Sequence, residues 1–258
     1  MSSLLRYIHV VLICLAFLIW VFKFKERPTE TDTDTMALNV LRVNAPKTAT
    51  SSIIIMHGLG DSSEGWKFLS DMLHQHETFQ STNFIFPNAP IKPLTIANGG
   101  LVSQWFDIFE MGNPNARQDE DGYWNSINKI KNLIDDEINN GIDSNKIIVG
   151  GFSQGASLSL GIASTYEKKL GGILCLSGFF NMKKGIKERI VDINKDTDIF
   201  HGHGDLDPMI NINMARDAAT YFKGLGFNNY KLKEYHGMGH STCNEEISDI
   251  VEFLSKHI

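Results

Sequence analysis

The chain is poor in cysteine and has no cluster of basic residues, and each shortage excludes a class of protein. Its three cysteines, Cys14, Cys175 and Cys243, are far apart and in no metal-ligand spacing, so they read as reduced thiols rather than a disulfide framework. A reducing compartment is the corresponding expectation. Lysine and arginine together number 24 against 30 acidic residues, a net charge of −6, and no aromatic stripe is interleaved with basic residues. Nothing there would neutralise a phosphate backbone, so no nucleic-acid partner is expected. Also missing is any Asn-x-Ser/Thr acceptor, which weighs against a lumenal or secreted life.

What is present starts with an uninterrupted apolar run from Val10 to Phe22, followed by Lys23-Phe24-Lys25-Glu26-Arg27-Pro28 without a small-x-small cleavage site. Residues 1–25 are therefore expected to form an apolar helix that serves as a membrane anchor or signal-anchor; a cleaved signal peptide or a soluble core helix are the alternatives. Basic residues after the run outnumber those before it, which places the remainder on the cytoplasmic side, whereas cleavage would send it into the secretory pathway. Residues 26–37 include Thr29 to Thr35, polar, acidic and aperiodic, and read as a linker. The remaining 38–258 is long enough for a single α/β domain.

Within that domain, apolar runs alternate with helical periodicity. Val40 to Val43, Ile53 to Met56, Phe84 to Phe86, Ile147 to Val149, Gly172 to Leu176, Thr197 to Phe200 and the alternating Tyr230 to Tyr235 read as strands. Trp66 to Leu73, Trp124 to Ile138, Met214 to Leu225 and Ile247 to Ile258 carry apolar residues at 3–4 spacing, with Gly141 where a helix end belongs. The pattern predicts an α/β fold with a mostly parallel central sheet and helices on both faces. Pro87 to Gly112 has no period and reads as a functional loop; its Trp105-Phe106 either plugs the core or lines an apolar substrate groove.

The chemistry concentrates at Gly151-Phe152-Ser153-Gln154-Gly155, where a β-branched strand turns into a helix with Ala156, Leu160 and Ala163 on one face. A serine at such a corner, flanked by glycines because the turn leaves no room for a Cβ, is the setting of a nucleophile elbow. In this architecture the acid and then the histidine follow the serine in the chain. Asp205 or Asp207, then His236 or His240, occupy those places. His57 precedes the serine and reads as a structural turn histidine, while the loop it opens would supply the Leu59 backbone N–H to join that of Gln154 around an oxyanion.

Together His57-Gly58-Leu59-Gly60-Asp61, Pro87-Asn88-Ala89-Pro90, Trp105-Phe106-Asp107, Gly150 to Gly155, His203-Gly204-Asp205-Leu206-Asp207-Pro208 and His240-Ser241-Thr242-Cys243 resemble the acyl-protein thioesterase and carboxylesterase family of serine hydrolases, from about Ser51 to the C-terminus. The resemblance implies an α/β-hydrolase fold, Ser153 as nucleophile, Asp207 and His240 as its partners, and Leu59 and Gln154 as oxyanion donors, with no cofactor or metal. It implies S-acylated proteins as substrates, with small lipid esters (a lysophospholipase or carboxylesterase activity) as the alternative. Leu94, Trp105, Phe106 and Met209 are expected to line the substrate groove. Ala156 stands where the family usually has another glycine, and Phe179-Phe180-Asn181 departs from its usual run. Two other classes are weighed: a zinc hydrolase using His201-x-His203-x-Asp205, in which Leu206 sits where a further ligand is needed, and a non-enzymatic binding module, which would ordinarily have lost one of the catalytic residues.

Overall fold

The computed structural model describes residues 37–110 and 116–258. The expected N-terminal apolar helix and most of the linker lie outside the described residues. Among those described, no helix is long and apolar enough to cross a membrane.

The isoleucine run becomes β2 (Ser51–Met56), buried along its entire length, as a strand covered on both faces must be. Around it form β1 (Val40–Val43), β3 (Thr82–Pro87), β6 (Ile147–Phe152), β7 (Gly172–Leu176), β8 (Ile199–Gly204) and β9 (Tyr230–Tyr235), in a seven-stranded sheet of order β1-β3-β2-β6-β7-β8-β9. Only β1 runs antiparallel, against β3; the other pairings are parallel. Because side chains alternate along a strand, Ile54, Met56, Val149, Ile173 and Cys175 join one apolar core, and Ile53, Ile55, Ile148, Leu174 and Leu176 the other. Each fully buried isoleucine contributes about 1.5–3 kcal/mol.

Helices cover both cores. On the second lie α1 (Glu64–Leu73), through Trp66, Leu69 and Leu73, and α6 (Asn244–His257), through Ile250 and Leu254. On the first lie α2 (Glu120–Asn139), α3 (Gln154–Thr165) and α5 (Ile212–Gly224). Asp119 caps α2 by accepting from the Gly122 N–H, and Gly141 beyond its far end takes φ 97°, the left-handed conformation a glycine adopts without strain.

Three elements differ from the sequence reading. All twelve residues of α3 are buried, not one face, because the helix is enclosed between the sheet and α2. The aperiodic stretch after Pro87 contains an antiparallel hairpin of β4 (Ile91–Leu94) and β5 (Gly100–Ser103). A short α4 (Lys183–Ile186) follows β7.

Candidate active site

The site is assembled at the carboxyl ends of β6 and β8. Strand β6 hands over to α3 at Ser153, which takes φ 54° and ψ −112°, a strained conformation for a residue with a Cβ. The neighbouring glycines allow it. A Cβ on Gly155 would meet the Met56 carbonyl carbon at 2.7 Å and the His57 oxygen at 2.8 Å, and one on Gly151 would strike the Gly155 backbone. The helix therefore approaches β2 more closely than any side chain permits, and Ser153 is lifted to the end of the sheet, 8% exposed. Its N–H donates to the Leu176 carbonyl at 2.9 Å. The next N–H, on Gln154, begins α3, where helical amides have no intrahelical acceptor.

Beyond β8, two aspartates pair with two histidines. Asp207 Oδ2 accepts from His240 Nδ1 at 2.7 Å, while its Oδ1 accepts the Met209 and Ile210 amides, each at 2.8 Å. Burial would raise the Asp207 pKa, but the hydrogen bonds from His240 and these amides outweigh it and hold the carboxyl below its usual range. Asp205 accepts from His236 Nδ1 at 2.7 Å and from the Gly237 amide. That second pair points outward, with the His236 side chain 97% exposed. His240 instead lies against Phe152, ring centroids 4.7 Å apart, so the Asp207 pair is the one beside the elbow.

Between β2 and the later loops sits His57. Its Nδ1 donates to the Gly58 carbonyl at 2.7 Å and its Nε2 accepts the Ala89 N–H at 3.0 Å. Both ring nitrogens are used, and burial lowers its pKa, so it is a neutral brace for the loop bearing Leu59. The same loop is held by Trp105, whose Nε1 donates to the His57 carbonyl at 2.8 Å, and by the Gly60 N–H donating to Ser103. Trp105 and Phe106 belong to the apolar core. Of the two alternatives left by the sequence, they plug it. Leu94 is buried as well, whereas Met209 is 44% exposed.

One role of Gln154 was not legible from its motif position. Its side chain accepts the Trp105 N–H at 3.1 Å and donates to the Phe106 carbonyl at 2.9 Å, clamping this loop to the elbow helix. Leu206, beside Asp207, is exposed, which nothing in the sequence pattern signalled. The histidines of the zinc reading do not converge with Asp205: His201 and His203 are buried, while Asp205 bonds His236 at the surface. Among the described residues no group of three or more His, Cys, Asp or Glu could hold a metal ion.

A mostly parallel sheet with a serine at a strained strand-to-helix corner and an Asp–His pair beyond its carboxyl edge defines an α/β-hydrolase. Residues 38–258 match the family model described as Phospholipase/Carboxylesterase, and the chain belongs to that family; it is a hydrolase. It is 45% identical over 225 residues to acyl-protein thioesterase 1 of Kluyveromyces lactis, covering 86% of this chain and 98% of the relative. The Saccharomyces cerevisiae acyl-protein thioesterase 1 is 43% identical over 225 residues, covering 86% and 99%. Among solved structures, Arabidopsis thaliana SOBER1 superposes with a TM-score of 0.76 at 29% identity, over 80% of this chain and 98% of that one. Zea mays acyl-protein thioesterase 2 gives 0.74 at 25%, over 85% and 98%.

Proposed function

We propose that the enzyme removes fatty acyl groups from S-acylated proteins by acyl transfer through Ser153. The observation that carries the mechanism is the 2.7 Å bond from His240 Nδ1 to the buried, ionised Asp207, beside a serine at the elbow. With Nδ1–H committed to Asp207, the other nitrogen of His240 carries the lone pair that takes the Ser153 proton. Serine oxygen then attacks the thioester carbonyl, and the Leu59 and Gln154 N–H groups hold the oxyanion. Collapse expels the thiolate, which receives the proton from His240; water repeats the sequence and releases the fatty acid. Similarity to acyl-protein thioesterases supports the substrate class. Hydrolysis of small lipid esters is the second reading, favoured by the family's description. Exposed Leu206 and Met209 flank Asp207 and would meet the acyl chain at the mouth of the site.

The apolar run Val10–Phe22 supports a further part of this reading: residues 1–25 anchor the enzyme in a membrane, residues 26–37 tether it, and the basic Lys23, Lys25 and Arg27 keep the domain from 38 onward on the cytoplasmic side. Turnover of matched thioester and oxyester substrates of several chain lengths tests the substrate assignment. Preference for long-chain thioesters supports it; a preference for lysophospholipid or short oxyesters would transfer the assignment to the second reading.

A further inference from the structure

Behind Asp207 runs a line of buried polar groups that the reaction does not use. The Tyr230 hydroxyl lies 2.7 Å from His201 Nδ1, and His201 Nε2 lies 3.4 Å from His203 Nδ1. His203 Nε2 reaches the Ile210 carbonyl at 2.8 Å and stands 3.4 Å from Asp207 Oδ2. Both histidines are fully buried.

The far end sets the direction of the line. A carbonyl oxygen only accepts, so His203 Nε2 carries the hydrogen and its Nδ1 the lone pair. His201 then donates from Nε2, which the Gly178 backbone also faces, leaving its Nδ1 to accept from Tyr230. Burial, the largest influence on both rings, lowers their pKa values, so both are neutral and each has one donor and one acceptor. Titratable groups facing His203 are Asp207, His240 and Glu234. Every hydrogen in the line thus points toward the Asp207 turn. Ile210, whose carbonyl His203 holds, is also the residue whose N–H bonds Asp207 Oδ1, so the imidazole holds one side of the residue whose amide, on its other side, orients the carboxylate.

We infer that His203 is a positioning residue of the hydrolysis reaction, acting through the Asp207 turn with its tautomer set by the Ile210 carbonyl and its remaining nitrogen engaged by the line from His201 and Tyr230. This rests on the Ser153–Asp207–His240 reading above. Imidazole ¹⁵N spectra of the full chain should show Nε2–H tautomers at both His201 and His203; an Nδ1–H tautomer at His203 overturns the inference. On a soluble ester, His203→Phe should lower kcat about 10–100-fold, the scale of a small misplacement near the reacting groups, with KM unchanged. His203→Gln, whose amide nitrogen reaches the Nε2 position, should recover most of the loss. Unchanged kcat in His203→Phe, or no recovery in His203→Gln, contradicts the role. Should His203→Phe fail to fold, Tyr230→Phe still decides, because it should move the His203 ring ¹⁵N shifts from two residues away, and shifts identical to the parent would sink the coupling. Ser153→Ala separates the two readings: an active Ser153→Ala defeats the triad and leaves the tautomers standing, whereas an inactive one beside a fully active His203→Phe defeats only the positioning role.

Discussion

At the scale of single residues, the decisive feature is that two aspartates two positions apart each pair with a different histidine. Asp207 bonds His240 beside the elbow, and Asp205 bonds the exposed His236. Asp207→Asn should therefore lose about 10⁴-fold in kcat, because the amide stabilises the wrong His240 tautomer, while Asp205→Asn stays near the parent; steady-state turnover of the two variants side by side reads this, and the reverse ranking would reassign the acid. Both candidates were legible in the sequence, and the Asp207–His240 pairing followed from the family resemblance rather than from spacing. Spacing alone leaves each acid within reach of each histidine; what decides is the register of backbone bonds from the end of β8 to the following loop, Asp205 N–H to Tyr235 and Leu206 N–H to Met238. Glu246 behaves differently. It is fully buried and neither carboxyl oxygen has a hydrogen-bond partner, and burial, with Asp249 nearby, raises its pKa from 4.5 to about 8. A carboxyl with a raised folded pKa holds its proton longer in the native state, so its contribution to stability is complete below pH 4.5 and is lost as pH climbs through about 8. Glu246→Gln should flatten the fall of Tm across that interval; an unchanged slope would show that the carboxyl is not desolvated as described.

At the scale of elements, the elbow depends on α3 lying against β2 without a Cβ between them. Gly155→Ala would place a methyl group against the Met56 and His57 backbone, where nothing can give by rotating. The expected cost is about 1–3 kcal/mol of stability, seen as a shift of the denaturant midpoint, with a fall in kcat as Ser153 moves; a variant with the parent's midpoint and turnover would mean that the corner is looser than the geometry requires. The glycine spacing announced this corner in the sequence. The full burial of α3 was less legible, since its serines Ser157, Ser159 and Ser164 are polar yet bond carbonyls or lie within the core. The β4–β5 hairpin was hidden because Pro93 and the outward Ile91 interrupt its alternation. Asn98-Gly99 at its turn, with φ 53° and 79°, was the available signal, as this pair favours the left-handed turns that join hairpin strands. Trp105 could not be assigned from sequence because its indole N–H finds its acceptor, the His57 carbonyl, 48 residues away.

At the scale of the whole molecule, the proposed division is a catalytic domain from residue 38 onward and an apolar segment that brings it to a bilayer. Tethering raises the effective concentration of a membrane-bound substrate without altering any contact in the site. Removal of Met1 to Thr35 should leave kcat on a water-soluble ester unchanged and slow deacylation of a membrane-bound acyl-protein. Equal rates on both substrates would remove the anchor from the mechanism. Protease protection of the domain in sealed vesicles would place it in a lumen. The central claim, that Ser153 carries the acyl group, is tested most directly by trapping the full chain with a slow-turnover long-chain thioester and mapping the acylated residue by peptide mass spectrometry. One adduct is expected, on Ser153, absent from Ser153→Ala and strongly reduced in His240→Ala; an adduct on another residue, or full turnover by Ser153→Ala without any adduct, would contradict that role.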